Sequence, residues 1–139
     1  MKKFIFKPGK YPFSINLALL FLRLSVGLLM LRHGLEKFAN LIGDDPISFP
    51  DPIGFGVSVS LGLAVFAEML CSIFLIFGFA TRLSAIPLLI TMLVAAFIIH
   101  AEDPFSKMEL PLLYASVYIV LVFTGAGSIS VDRFIYKKK

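Results

Sequence analysis

Four apolar runs, separated by short polar or glycine- and proline-rich segments, dominate the pattern of hydrophobic and polar positions along the chain. They extend from about Ser14 to Ala39, Val57 to Phe79, Leu83 to His100 and Leu110 to Ala126. Each is close to the roughly 20 residues a helix needs to cross a bilayer. Ser14 is placed to cap the first helix, Gly78 to end the second and Thr81 to cap the third, which predicts a tight antiparallel hairpin. Gly125 and Gly127 stop the fourth run, and Pro87 should perturb the third without breaking it. The far end of the first run is ragged with Arg32, His33, Glu36 and Lys37, so that helix is expected to run past the hydrocarbon.

Composition turns these runs into a membrane protein. The 139 residues are 58% hydrophobic and 16% charged, with a mean hydropathy of +0.92, too apolar for a soluble domain of this size. The expectation is an all-α, integral membrane four-helix bundle, one domain over residues 1–139, with the lipid bilayer as its surroundings. The net charge of +4 resides mostly in the two tails, which suits a membrane surface and not nucleic acid. The basic start followed by an apolar stretch is read as a retained first helix, because the stretch contains Arg23, runs long and lacks a small-residue cleavage site. RLS occurs at Arg23 to Ser25 and at Arg82 to Ser84, but the residues after each copy diverge, so no internal repeat is assigned.

Charge asymmetry orients the bundle. Lys2, Lys3, Lys7, Lys10, Arg82, Arg133, Lys137, Lys138 and Lys139 fall on one side. The other carries Lys37 and Lys107 together with Asp44, Asp45, Asp51, Glu102, Asp103 and Glu109. The positive-inside rule then places both the N and C termini in the cytoplasm and His33 and His100 on the outer side. Between the first two runs, GDDPISFPDPIGFG mixes turn formers with Ile47, Phe49, Ile53 and Phe55. Such a segment cannot cross the bilayer yet is too apolar to float free, so it is expected either as an ordered cap over the outer mouth or as a plain interfacial loop.

Arg23 and Glu68 are the ionisable residues deepest in the spans. Counted from the cytoplasmic ends of their helices they lie at similar depth, within about 3 Å at 1.5 Å per residue. An unpaired charge near the membrane centre costs at least about 2.5 kcal/mol, so an Arg23–Glu68 ion pair is expected, either fixing helix register or serving a ligand. Cys71 is the sole cysteine, which excludes an intramolecular disulfide or a CxxC pair, and it is read as a small buried hydrophobe.

A second group collects at the outer ends: His33, Glu36, Lys37, His100, Glu102, Asp103, Glu109 and Tyr114. Imidazole titrates near neutrality, which suits proton exchange with a quinone carbonyl, although polar residues at helix ends also serve as plain interface anchors. His33 and His100 could instead ligate a haem across the bundle; against this stand their places near the membrane surface and the lack of an attachment motif. His33 and Glu36 have i, i+3 spacing but no further cluster supplies the other ligands, so no metal site is assigned. Tyr114 and Tyr118 lie one turn apart on one face and either line a pocket for a flat ring or anchor the interface.

RLSVGLLMLRHGLEKF in the first run, FAEMLCSIFLIFGFATRLSAIPLLITMLVAAFIIHAEDPF across the second and third, and ELPLLYASVYIVLVFTGAGSISVDR at the end together resemble the DoxX family of small four-helix membrane proteins. The resemblance covers nearly the whole chain apart from the basic tails. It implies a bacterial inner-membrane component of quinone-linked oxidoreductase systems, connected with sulfur or oxidative-stress partners. It picks out Arg23, His33, Gly34, Lys37, Glu68, Arg82, His100, Tyr114 and Gly127. The expected function is a quinone-interacting oxidoreductase subunit whose redox centre comes from a protein partner, with His33, His100, Tyr114, Arg23 and Glu68 as ligand-binding candidates. The rival is a non-catalytic membrane scaffold or small-molecule carrier. A homo-oligomer is compatible with either.

Overall fold

A computed structural model describes residues 6–137; Lys2, Lys3, Lys138 and Lys139, which contribute to the charge asymmetry, lie outside the described residues. Among the described residues, four helices are long and apolar enough to cross a membrane: α1 (Phe13–Ile42), α2 (Val57–Phe77), α3 (Thr81–Ile99) and α4 (Phe105–Thr124). A short α5 (Val131–Lys137) comes last. α1 packs chiefly on α2 and α3 chiefly on α4, and the pairs meet around a shared core. That core takes Leu19, Val26 and Met30 from α1, Cys71 and Leu75 from α2, Leu88 and Met92 from α3, and Tyr118 and Leu121 from α4. Phe21, Leu28, Phe77, Phe97 and Phe123 point outward and are exposed, as expected when lipid is the solvent.

Several boundaries differ from the sequence reading. α1 begins at Phe13 after Pro12, so Ser14 is a helical residue and not a cap. Its 30 residues span about 45 Å, longer than the roughly 30 Å of hydrocarbon, in keeping with a helix that outruns the bilayer. α4 starts at Phe105, well before Leu110, and continues through Pro111. α3 likewise continues through Pro87. The α2–α3 hairpin forms as expected at Gly78, whose φ of 67° is left-handed. Gly78 N–H donates to Leu75 O at 3.1 Å and Phe79 N–H to Phe74 O at 2.8 Å, the paired bonds of a Schellman turn. Thr81 does not cap α3 with its own side chain. That role falls to Asp132 at the start of α5, which accepts from Ala80 N–H at 2.6 Å and Thr81 N–H at 3.0 Å.

The two ends of the described chain lie together, at what we call the termini end. Gly127 N–H donates to Pro8 O at 2.8 Å, Tyr11 Oη to Thr124 O at 3.2 Å and Ser128 N–H to Asn16 Oδ1 at 2.6 Å. The opposite, loop end holds residues 43–56 and the α3–α4 turn. Asp51 fastens that loop to α2, accepting from Gly56 N–H at 2.9 Å and from Ser60 Oγ at 2.6 Å.

Candidate functional site

The expected Arg23–Glu68 pair does not form. α1 and α2 run antiparallel in a register fixed by glycines: a Cβ on Gly34 would lie 2.5 Å from Glu68 C and Met69 N, one on Gly27 would lie 2.6 Å from Ile76 Cγ1, and one on Gly78 would collide with the Arg23 guanidinium. Arg23 is therefore level with the Gly78 turn, and Glu68 with Gly34. Equal depth counted from the helix ends misleads because those ends are not flush; α1 projects some ten residues, about 15 Å, beyond the level of that turn. Arg23 is fully buried at the termini end, where Nη2 donates to Ile129 O at 2.6 Å and the Asp132 carboxylate offsets its charge.

Glu68 pairs instead with Lys37. Lys37 Nζ lies 2.5 Å from Glu68 Oε2, with side-chain exposures of 27% and 4%. Side chains on a helix lean toward its N-terminus, so Lys37 reaches back to the level of Gly34, where the missing side chain lets the α2 backbone come close. Glu68 sits in a π-helical turn, Phe66–Cys71, and a second π-helical turn, Ala95–Ile99, lies near the end of α3 just before His100. Such turns re-aim side chains within a helix and recur at functional sites.

These elements border a cavity of about 210 Å³ at the loop end, lined by Met30, His33 and Lys37 from α1, Glu68 from α2, Met92, Ala95 and His100 from α3 and its end, and Leu110, Pro111 and Tyr114 from α4. A second cavity, of about 440 Å³, shares Lys37, Glu68, Ala95 and His100 and is bounded by Phe49, Pro52 and Ile53. The loop thus borders this second cavity and is fastened there through Asp51. His100 Nδ1 lies 2.7 Å from Asp103 Oδ2, and Lys107 Nζ donates to Asp103 Oδ1 at 3.1 Å. Asp103, beyond the end of α3, is held below the ordinary carboxylate range first by the His100 contact and then by Lys107. With Nδ1 engaged, Nε2 is the ring nitrogen left for a ligand, the proton placement being inferred from this contact.

Of the sequence candidates, His33, His100, Tyr114 and Glu68 converge on this cavity, while Arg23 does not. Lys37 completes the constellation; its place one turn from His33 on the same face was the signal for it. Tyr114 and Tyr118 stack with ring centroids 6.2 Å apart and planes at 23°. Tyr118 is fully buried below the cavity and not an interface anchor, and its hydroxyl has no hydrogen-bond partner among the described residues. Chemically, the site offers a cation, a carboxylate, two imidazoles and a phenol around one pocket, and the cation, the carboxylate and one imidazole also face the adjoining cavity that the loop borders. That set can bind a polar ring and pass protons to the adjacent surface.

The DoxX family pattern matches residues 18–101, which include α2, α3 and most of α1. Two Haemophilus influenzae proteins, both described as uncharacterized, are similar to this chain. One is 32% identical over 129 residues, covering 88% of this chain and 85% of its own length. The other is 33% identical over 127 residues, covering 86% and 92%. A Bacillus subtilis protein named "Putative oxidoreductase CatD" is 28% identical over 129 residues, covering 91% and 92%. No solved structure gives a significant match. The matched residues contain His33, Lys37, Glu68 and His100, and the four spans surround them; the chain is a multi-pass membrane protein that belongs to the DoxX family.

Proposed function

We propose that the protein is the quinone-interacting membrane subunit of an oxidoreductase system, with the quinone ring seated in the loop-end cavity. The observation that carries this reading is the convergence of His33, Lys37, Glu68, His100 and Tyr114 on one pocket at the loop end of the membrane-spanning bundle. The name of the Bacillus subtilis relative supports oxidoreductase chemistry. A bound quinone would supply two-electron, two-proton chemistry, its electrons exchanged with a redox centre on a partner protein, of the sulfur or oxidative-stress kind the resemblance implies.

The chain's own residues account for binding and for the protons. Lys37, held by Glu68, donates to a ring oxygen, and Glu68 keeps that cation in place in a low-dielectric setting. His100 exchanges a proton through Nε2, while Asp103 fixes the ring and leads toward the surface at Lys107. His33 and Tyr114 bound the ring on the α1 and α4 sides.

Lys7, Lys10, Arg82, Arg133 and Lys137 at the termini end support cytoplasmic termini and an external loop end, in a bacterial inner membrane. In a Cys71→Ser background, a cysteine placed at Asp45 should react with an impermeant reagent from outside; labelling only from the cytoplasmic side would reverse the orientation. For the site itself, mild extraction should retain quinone, and His33→Ala and His100→Ala should each weaken its binding about tenfold or more while the protein stays folded. Unaltered affinity in both folded variants, or a preparation holding only phospholipid, would favour a scaffold.

A further inference from the structure

A third cavity, also of about 440 Å³, lies between α2 and α3 toward the termini end, with Phe66, Cys71, Phe79, Leu83, Ile86 and Pro87 in its walls. It shares Phe66 and Pro87 with the loop-covered cavity that holds Lys37, Glu68 and His100. The two therefore adjoin along one seam of the α2–α3 interface, whose charged groups lie at the loop end and which is almost wholly apolar beyond Phe66. Ser84 lines the deeper part, but its hydroxyl is turned onto the backbone, donating to Phe79 O at 3.4 Å. From Glu68 to Phe79 the seam runs about 16 Å along α2.

We infer that this seam is the binding channel for the polyprenyl tail of the quinone, entered sideways from the bilayer between α2 and α3. The inference rests on the quinone reading above and adds where the rest of the molecule lies and how it enters. An occupant must be amphiphilic: a small head can meet Lys37, Glu68 and His100, whereas beyond Phe66 no free polar side chain among the described residues lines the channel to satisfy a polar group. A phospholipid fits less well, because its large hydrated head belongs at the water interface and Phe49, Pro52 and Ile53 roof the polar end. The proline inside α3 lies where the two cavities join, and the π-helical turn of α2 supplies Phe66 and Cys71 to the deeper wall.

The test uses the full-length protein in nanodiscs of fixed lipid composition, so that the ratio of variant to wild-type affinity cancels partitioning of the ligand into lipid. Leu83 and Ile86 line the channel and are exposed to the bilayer, so Leu83→Trp and Ile86→Trp fill it without disturbing the core. Phe123→Trp, on a surface outside the channel, is the control. Expected is a loss of about tenfold or more in affinity for a long-tailed ubiquinone or menaquinone, with a tail-less benzoquinone or naphthoquinone binding as in the wild type. Unchanged long-tail affinity in both channel variants would overturn the tail assignment while leaving the head site standing. Equal losses for tailed and tail-less quinones would overturn it too, since filling would then act on the head site or the fold. Failure of the wild type to bind any quinone would remove the underlying reading and this inference with it.

Discussion

At the termini end Arg23 and Asp132 are buried and held against backbone, whereas at the loop end Lys37, Glu68 and His100 surround open space. The termini-end pair fastens α5 to the α2–α3 turn: Asp132 N–H donates to Gly78 O at 2.9 Å while its carboxylate receives the first N–H groups of α3. Burial pushes the Asp132 carboxyl up, and the Thr81 and Ala80 N–H groups and Arg23 oppose that push. At the loop end the partners are other side chains, and Lys37 and His100 are about a third exposed. Similar residues thus serve different ends. Where a charge is spent on backbone it builds the fold, and where it faces a cavity it stays available for a ligand.

The largest expected effect tests the fastening. Asp132→Ala leaves two buried N–H groups without an acceptor and Arg23 without its counter-charge, and should lower stability by about 3–5 kcal/mol. Glu68→Gln should lower it by about 1 kcal/mol or less, because Lys37 is partly exposed and can rehydrate. Unfolding in mixed micelles measures both. Comparable losses would erase the distinction between the ends.

Next comes Gly34→Ala, which tests whether the loop-end site depends on close helix approach. The added Cβ meets backbone atoms of Glu68 and Met69, which cannot swing aside, so α1 and α2 must separate at a cost of about 1–3 kcal/mol. The same separation should weaken ligand binding. Gly62→Ala, where nothing lies within 4 Å of an added Cβ, serves as the neutral comparison.

The pairing itself is open to a double-mutant cycle. Lys37→Met and Glu68→Gln should couple by about 1 kcal/mol, whereas Arg23→Met and Glu68→Gln should be additive within about 0.5 kcal/mol. Additivity in the first pair, or coupling in the second, would restore the partnership that matching depths had suggested.

Long signals were the legible ones in the sequence. The four spans and the shared outer placement of His33, His100 and Tyr114 come from runs of about 20 residues and from which end of each run carries polar groups, and the Gly78 turn from a helix-ending glycine between two such runs. The start of α4 was misplaced because Lys107 and Glu109 look like loop, although Pro104 marks the boundary. α5 was missed because seven residues of mixed polarity leave too short a pattern. The π-helical turns at Phe66–Cys71 and Ala95–Ile99 shift hydrogen bonding by one residue and leave no mark in composition. The Arg23–Glu68 expectation failed through an assumption about relative helix height, which no single helix encodes.

The smallest expected effect concerns acid at the loop end. Asp103 is solvated and interacts with His100 and Lys107, so its titration reports the site without unfolding the bundle. Its carboxyl is depressed, and a depressed carboxyl contributes stability that is fully present above the unfolded value of about 3.9 and is lost as pH falls through the folded one. The α3–α4 turn should therefore loosen only below about pH 4. Carboxyl carbon shifts followed by NMR should place the Asp103 midpoint below the ordinary value. His100→Ala should move that midpoint up further than Lys107→Met, because the His100 contact is the larger cause. A wild-type midpoint at or above the ordinary carboxylate value would mean that Asp103 does not hold the His100 ring, and the proton route from the cavity to Lys107 would lose its first link.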